Sequence, residues 1–194
     1  MINQSNLYLK GDRLVSNILI VYSSVHGQTR KISAYLEQKL IALGNQVQAV
    51  NITDNIDLTE FDKVIIGASI RHGKHNPTVY DFIEANQSAL EQKATSFFSV
   101  NLVARKPLKN TAATNPYMQA FIEKSPWLPT LTEVFGGNLN YPSYGIVDRS
   151  IIRFIMWMTK GPTAADTNIE YTDWLKVDTY ADKVNQLSVE SKVS

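Results

Sequence analysis

Apolar residues along this chain recur with two different periods, and the two alternate. Asn17-Ile-Leu-Ile-Val-Tyr22 is a short, continuous apolar run with β-branched residues, the pattern of a strand buried on both faces of a parallel sheet. A polar turn, 23–29, follows. Beyond it Ile32, Leu36, Leu40 and Leu43 keep helical spacing until Gly44, which sits where a C′ glycine stops a helix. Residues 46–50 and 63–67 read as second and third strands, 94–100 as a fourth, and 131–135 as a fifth ending at Gly136-Gly137. Asn76-Pro77 predicts an N-cap with proline at N1, opening a helix that buries Val79, Phe82, Ile83 and Leu90. Asn115-Pro116 is read as opening another, with Tyr117, Phe121 and Ile122. Thr172 is expected to cap a last helix with Trp174, Val177, Ala181 and Val184 inside. Two stretches, 102–130 and 144–160, exceed this minimal pattern.

Strands alternating with helices at this interval make βαβ units, and five strands favour the flavodoxin-like order over a six-stranded dinucleotide fold. The expected fold is therefore α/β, a flavodoxin-like doubly wound five-stranded parallel sheet with helices on both faces. It spans 17–187, with residues 1–16 as an N-terminal extension. A chain of 194 residues can bury the core of one such domain. Lys plus Arg number 19 against 18 acids, so no global field favours nucleic acid, and any basic site must be local. The absence of Cys excludes a disulfide framework, thiolate catalysis and Cys-held zinc or iron–sulfur clusters. Residues 1–16 lack a signal-peptide core, and no stretch approaches the roughly 18 apolar residues of a membrane span. The chain is expected to be cytosolic or, at most, attached to a membrane surface.

In such sheets ligands bind beyond the carboxyl ends of the strands. The first βα turn, Ser24-Val-His-Gly-Gln-Thr29, offers two hydroxyls, a glycine for close backbone approach and the N–H groups of a helix start. Together these make a phosphate cradle. A plain helix-capping turn accounts for the same residues, and both readings stand at this point. With no Walker lysine and no G-x-G-x-x-G, a nucleoside triphosphate or a Rossmann-bound dinucleotide is not expected. The third strand runs out into Gly67-Ala-Ser-Ile-Arg-His-Gly-Lys-His75 and the fourth into Val100-Asn-Leu-Val-Ala-Arg-Lys-Pro107, so both loops flank whatever the cradle holds. His72 and His75, with one other histidine in the chain, fall short of the three or four ligands of a zinc site. They suit a pocket rim or a solvated loop. Gly67-Ala-Ser-Ile does not complete a G-x-S-x-G elbow, so Ser69 is no nucleophile. Arg105, Lys106 and Lys109 form a basic patch beside these loops, either solvated or suited to an anionic substrate.

These residues carry a resemblance. The 24–29 turn is similar to the phosphate loop of flavodoxins. Val64-Ile-Ile-Gly-Ala-Ser-Ile-Arg71, Ser99-Val-Asn-Leu-Val-Ala-Arg-Lys-Pro107 and Tyr171-Thr-Asp-Trp174 resemble, in order and spacing, the bacterial quinone-dependent protoporphyrinogen IX oxidase family, FMN proteins of haem biosynthesis. The resemblance covers 17–187 and implies FMN, its phosphate on Ser24, Val25, His26, Gly27, Gln28 and Thr29. It places the flavin ring against Ser69, Ile70, Arg71, His72 and Gly73 and against Ser99, Val100, Asn101, Leu102, Val103 and Ala104. His26 departs from the pattern: flavodoxins commonly have Thr there and close relatives an acidic residue, so one cradle hydroxyl is missing. The resemblance also implies dehydrogenation of protoporphyrinogen IX to protoporphyrin IX, with electrons passing through FMN to a membrane quinone, menaquinone or ubiquinone. Arg105 and Lys106 would meet the propionates. No side chain is singled out as acid or base. An FMN-dependent NAD(P)H:quinone reductase, a flavodoxin-type electron carrier and a module that has lost its flavin are the other readings; a carrier would be expected to show acidic excess, which this chain lacks.

Along 147–160, Val147, Ile151, Phe154, Ile155 and Met158 share one face of a helix at about 100° per residue, the face expected to meet the core. Arg149, Arg153 and Lys160 fall on another, bordered by Met156 and Trp157. Basic residues flanked by Trp and Met suit a helix at an anionic lipid surface. Arg149, Arg153 and Trp157 are the expected contacts with the cytoplasmic face of the bacterial inner membrane. A packed helix with a wide core face is the alternative.

Overall fold

The structure, a computed structural model, describes residues 15–54 and 56–189. The expected extension, 1–16, lies outside these apart from Val15 and Ser16. Strands β1 (Asn17–Ser23), β2 (Gln46–Asn51), β3 (Lys63–Arg71), β5 (Ala94–Asn101) and β6 (Leu131–Gly136) form a parallel sheet in the order β2-β1-β3-β5-β6. That is the flavodoxin-like order; the β1–β2, β3–β5 and β5–β6 connections each carry a helix back over one face, whereas the described residues between β2 and β3 form none. Helices α1 (Gln28–Ala42) and α5 (Trp174–Gln186) cover one face, α2 (Pro77–Glu91) and α3 (Pro116–Lys124) the other.

Alternate residues of one strand feed opposite cores. Ile18 and Ile20 of β1 pack with Ile32, Leu36 and Leu40 of α1, whereas Leu19 and Val21 pack with Val79 and Ile83 of α2. Both faces are apolar, so the strand reads as an unbroken apolar run. Gly67 leaves room for a neighbour: a Cβ there would lie 2.2 Å from the Phe98 ring. The α1 stop is a Schellman turn, with Asn45 N–H donating to Leu40 O at 3.1 Å and Gly44 at φ 97°. The predicted cap of α5 moves by one residue. Asp173 accepts from Lys176 N–H, while the Thr172 hydroxyl donates to Gly136 O at 2.7 Å.

Three short strands were not legible. β4 (Lys74–His75) folds back on β3 through a two-residue hairpin whose central residues, His72 and Gly73, have φ of 50° and 81°, the sign pattern of a type I′ turn. β7 (Asn138–Asn140) and β8 (Asn168–Glu170) pair antiparallel and flank α4 (Ile146–Met158). This annex has its own small core of Leu139, Tyr141, Tyr144 and Met156.

The hairpin carries His75 into the interior instead of to a rim. Its Nε2 lies 3.0 Å from Ser99 Oγ, and its ring meets Phe97 and Phe121 edge-on. Burial lowers its pKa to about 4, so unfolding binds a proton throughout the interval up to the free value of about 6.5. Stability should therefore fall as pH drops from about 6.5 towards 4, by on the order of 3 kcal/mol from this residue. Urea midpoints measured across that range should show the slope in the wild type and a shallower one in His75→Asn.

Candidate active site

The carboxyl ends of β1, β3 and β5 open onto one cleft. The loop after β1 turns at Gly27, whose φ of 87° is left-handed, and no side chain caps the first turn of α1. Ser24 Oγ and Thr29 Oγ1 are buried yet lack hydrogen-bond partners among the described residues. Two orphaned hydroxyls at an uncapped helix N-terminus are what an anion would satisfy, and the residues fit a phosphate. The Gln28 side chain is committed elsewhere: Nε2 donates to Thr172 Oγ1 at 2.8 Å and to Glu170 Oε1 at 3.0 Å. Only its backbone N–H remains for the cradle. Val25 N–H donates to Ser69 Oγ at 3.3 Å, and Ser69 Oγ donates to Ser23 O, which ties the loop to β3.

Ser69, Ile70, Arg71, His72 and Gly73 line one side of the cleft, and Val100, Leu102 and Val103 another. Ser99, Asn101 and Ala104 do not line it. All three are buried beneath it, where Asn101 Oδ1 accepts from Ala104 N–H at 3.0 Å and so shapes the turn that presents Leu102 and Val103. Arg105 lines the cleft, but its guanidinium is tied in place. Nη1 donates to Leu102 O and Nη2 to Thr159 Oγ1, both at 2.8 Å, clamping the loop to the end of α4. Lys106 lines the cleft with Lys109 and Tyr117.

Helix α4 departs from expectation on both its faces. Val147, Ile151, Phe154, Ile155 and Met158 are exposed, while Met156, 1% accessible, and half-buried Ile152 turn inward. The inward side is small because α4 packs only on the annex and the cleft, not on the main sheet. Ile151, Ile152, Ile155, Met156 and Thr159 wall the cleft, and sequence reasoning missed all five as site residues. Arg149 leaves the expected lipid face: its Nε donates to Tyr141 O at 3.0 Å and Nη2 to Tyr144 O at 3.3 Å. Arg153 and Trp157 are exposed, Trp157 at 69%.

Asp148, the lone acid of α4, is the tie between helix and loops. Its Oδ2 accepts from Arg71 Nη2 and its Oδ1 lies against His72 Nε2, both at 3.0 Å, with His26 Nε2 at 3.9 Å. The His72 hydrogen bond and Arg71 hold its carboxyl below the usual aspartate range despite partial desolvation. His26 packs on Tyr144 at 4.6 Å, and its pKa is lowered chiefly by burial, with Asp148 pulling the other way. A single acid among basic and apolar neighbours was the signal available in the sequence.

The flavodoxin-domain family model matches residues 19–166. The protoporphyrinogen IX dehydrogenase [quinone] of Escherichia coli K12 is 38% identical over 172 residues, covering 88% of this chain and 95% of the relative. The protein of the same name from Leishmania major is 39% identical over 166 residues, covering 84% and 72%. Among solved structures, the apo form of an NADH:FMN oxidoreductase superposes with a TM-score of 0.54 at 13% identity, over 90% of this chain and 91% of that one, a likeness of fold alone.

Replacing Asp148 by Asn should loosen α4 without unfolding the sheet. Amide hydrogen exchange across 146–158 should quicken roughly two- to fivefold, as loss of a partly exposed ion pair implies. Because the folded pKa is depressed, the difference from wild type should persist down to about pH 4 and vanish only below it.

Proposed function

Since this chain belongs to the flavodoxin-domain family and, within it, to the protoporphyrinogen IX dehydrogenases [quinone], we propose that it oxidises protoporphyrinogen IX to protoporphyrin IX and passes the electrons to a quinone. The observation that carries this reading is the 38% identity along nearly the whole length of relatives so named. The flavin is FMN, which when bound supplies the two-electron redox chemistry. The 24–29 loop holds its phosphate on the Ser24 and Thr29 hydroxyls and on backbone N–H groups from His26 to Thr29, while the Val25 N–H keeps its bond to Ser69 Oγ. The 69–73 hairpin and the 100–103 turn flank its ring. The protein's share of the reaction is to orient tetrapyrrole against flavin and to exclude water with the α4 wall; no side chain is assigned as acid or base.

The quinone, menaquinone or ubiquinone, is dissolved in lipid, and α4 offers a matching surface. No described helix is long and apolar enough to cross a membrane, but the outer side of α4 exposes Ile146, Val147, Phe154, Trp157 and Met158, with Arg153 and Lys160 exposed nearby. This combination fits the interface of an anionic bilayer, which we take to be the cytoplasmic face of the inner membrane. Flotation with anionic liposomes should carry the wild type upward, more weakly at high salt, and leave behind Arg153→Glu with Trp157→Ser. Equal flotation of the two would remove α4 as the anchor.

Two measurements test the reaction itself. FMN should bind with fluorescence quenching, and Gly27→Asp should abolish binding, whereas Gly27→Asn, equally strained at a left-handed φ but uncharged, should retain part of it. Anaerobic bleaching of the bound flavin by protoporphyrinogen IX, and not by NADPH, is the expected result. Bleaching by NADPH alone would make the protein an NAD(P)H:quinone reductase.

A further inference from the structure

We infer that Lys106 and Lys109 set the specificity of the cleft by pairing with the two carboxylates of a flat tetrapyrrole whose apolar body lies against the inner side of α4. The inference rests on the reading above and names the residues that would recognise its substrate.

The cleft is chemically lopsided. Ile151, Ile152 and Ile155 make one wall apolar, while Lys106 and Lys109 stand in the lining without an ion pair among the described residues. The carboxylate of Asp148 also lines the cleft, but its charge is answered by Arg71, and its other oxygen lies against His72 Nε2. Arg105, the residue the sequence would nominate, has both terminal nitrogens bound to loop and helix. The ammonium groups of the two lysines are thus the cations of the lining that neither an ion pair nor a hydrogen bond ties down among the described residues. Their backbone is held in place in advance. Lys109 N–H donates to Lys106 O at 2.9 Å. Fully buried Asn115 donates to Lys109 O at 2.8 Å and to Asn101 Oδ1 at 3.2 Å, so the turn hangs from the amide pair beneath the cleft. Paired carboxylates on one edge of an apolar ring system match such an arrangement, because charge-assisted hydrogen bonds form at one rim while the ring buries apolar surface at the other.

The test compares protoporphyrin IX with its dimethyl ester on FMN-loaded protein. Equilibrium binding is read by porphyrin absorbance in the wild type, in Lys106→Gln with Lys109→Gln, and in Lys183→Gln as a remote charge control. The wild type and the control should bind the diacid more tightly than the ester. The double variant should lose about tenfold or more of diacid affinity, retain ester affinity and keep its FMN. Equal diacid binding by wild type and double variant, or no preference for the diacid in the wild type, would overturn the inference. Turnover of protoporphyrinogen IX with a short-chain quinone is followed in parallel. Diacid-selective binding without turnover would overturn the proposed reaction and leave the lysine site standing.

Discussion

A parallel sheet covered by helices on both faces makes unpaired polar groups along its strands costly, since water reaches neither side. Polar chemistry therefore gathers at the strand ends. In this chain β1, β3 and β5 spend their lengths on two apolar cores and release their polar residues together at one edge. The Ser24 and Thr29 hydroxyls, the β3–β4 hairpin and the turn after β5 meet there. Much of the cleft follows from this constraint, since three of its sides form where β1, β3 and β5 end, with α4 closing a fourth.

Some of the polar groups that remain inside serve as supports for that edge. His75 is held by Ser99, Asn115 by Asn101 and the lysine turn, and Gln28 by Thr172, which in turn holds Gly136 O. Each joins two elements distant in sequence and fixes a loop above it. A satisfied buried polar network gives a unique geometry where apolar packing alone would allow sliding. Gly136 belongs to the same scheme, because a Cβ there would lie 2.2 Å from Tyr171 O, so the close approach of Tyr171, just past β8, to β6 requires glycine.

Helix α4 is held on different terms. Its ties are the small annex core, the Arg149 bonds to Tyr141 O and Tyr144 O, the Arg105 clamp at Thr159 and the Asp148 junction with Arg71 and His72. Few apolar contacts and several partly exposed polar ones give a unit of lower local stability than the sheet. The same helix walls the cleft and exposes its apolar outer side.

The five parallel strands and the helices that pack on them could be read along the chain. Strand and helix periods are local properties, and where an element packs on a main core its buried stripe is its apolar stripe, as Ile32, Leu36 and Leu40 of α1 show. The 24–29 turn was legible for the same reason, since hydroxyls, glycine and helix start lie within six consecutive residues. Periodicity states that α4 has an apolar face but not what covers it, and with no sheet beneath the helix the expected core face stands in solvent. The roles of Arg105, Arg149 and Asp148 were likewise beyond reading. A cation looks the same in sequence whether it meets a ligand or a carbonyl, and the partners of Asp148 lie 76 and 77 residues away. Only tertiary structure brings such partners into contact, because the hydrogen bonds that commit a side chain are set by distance in space and leave no period in the chain.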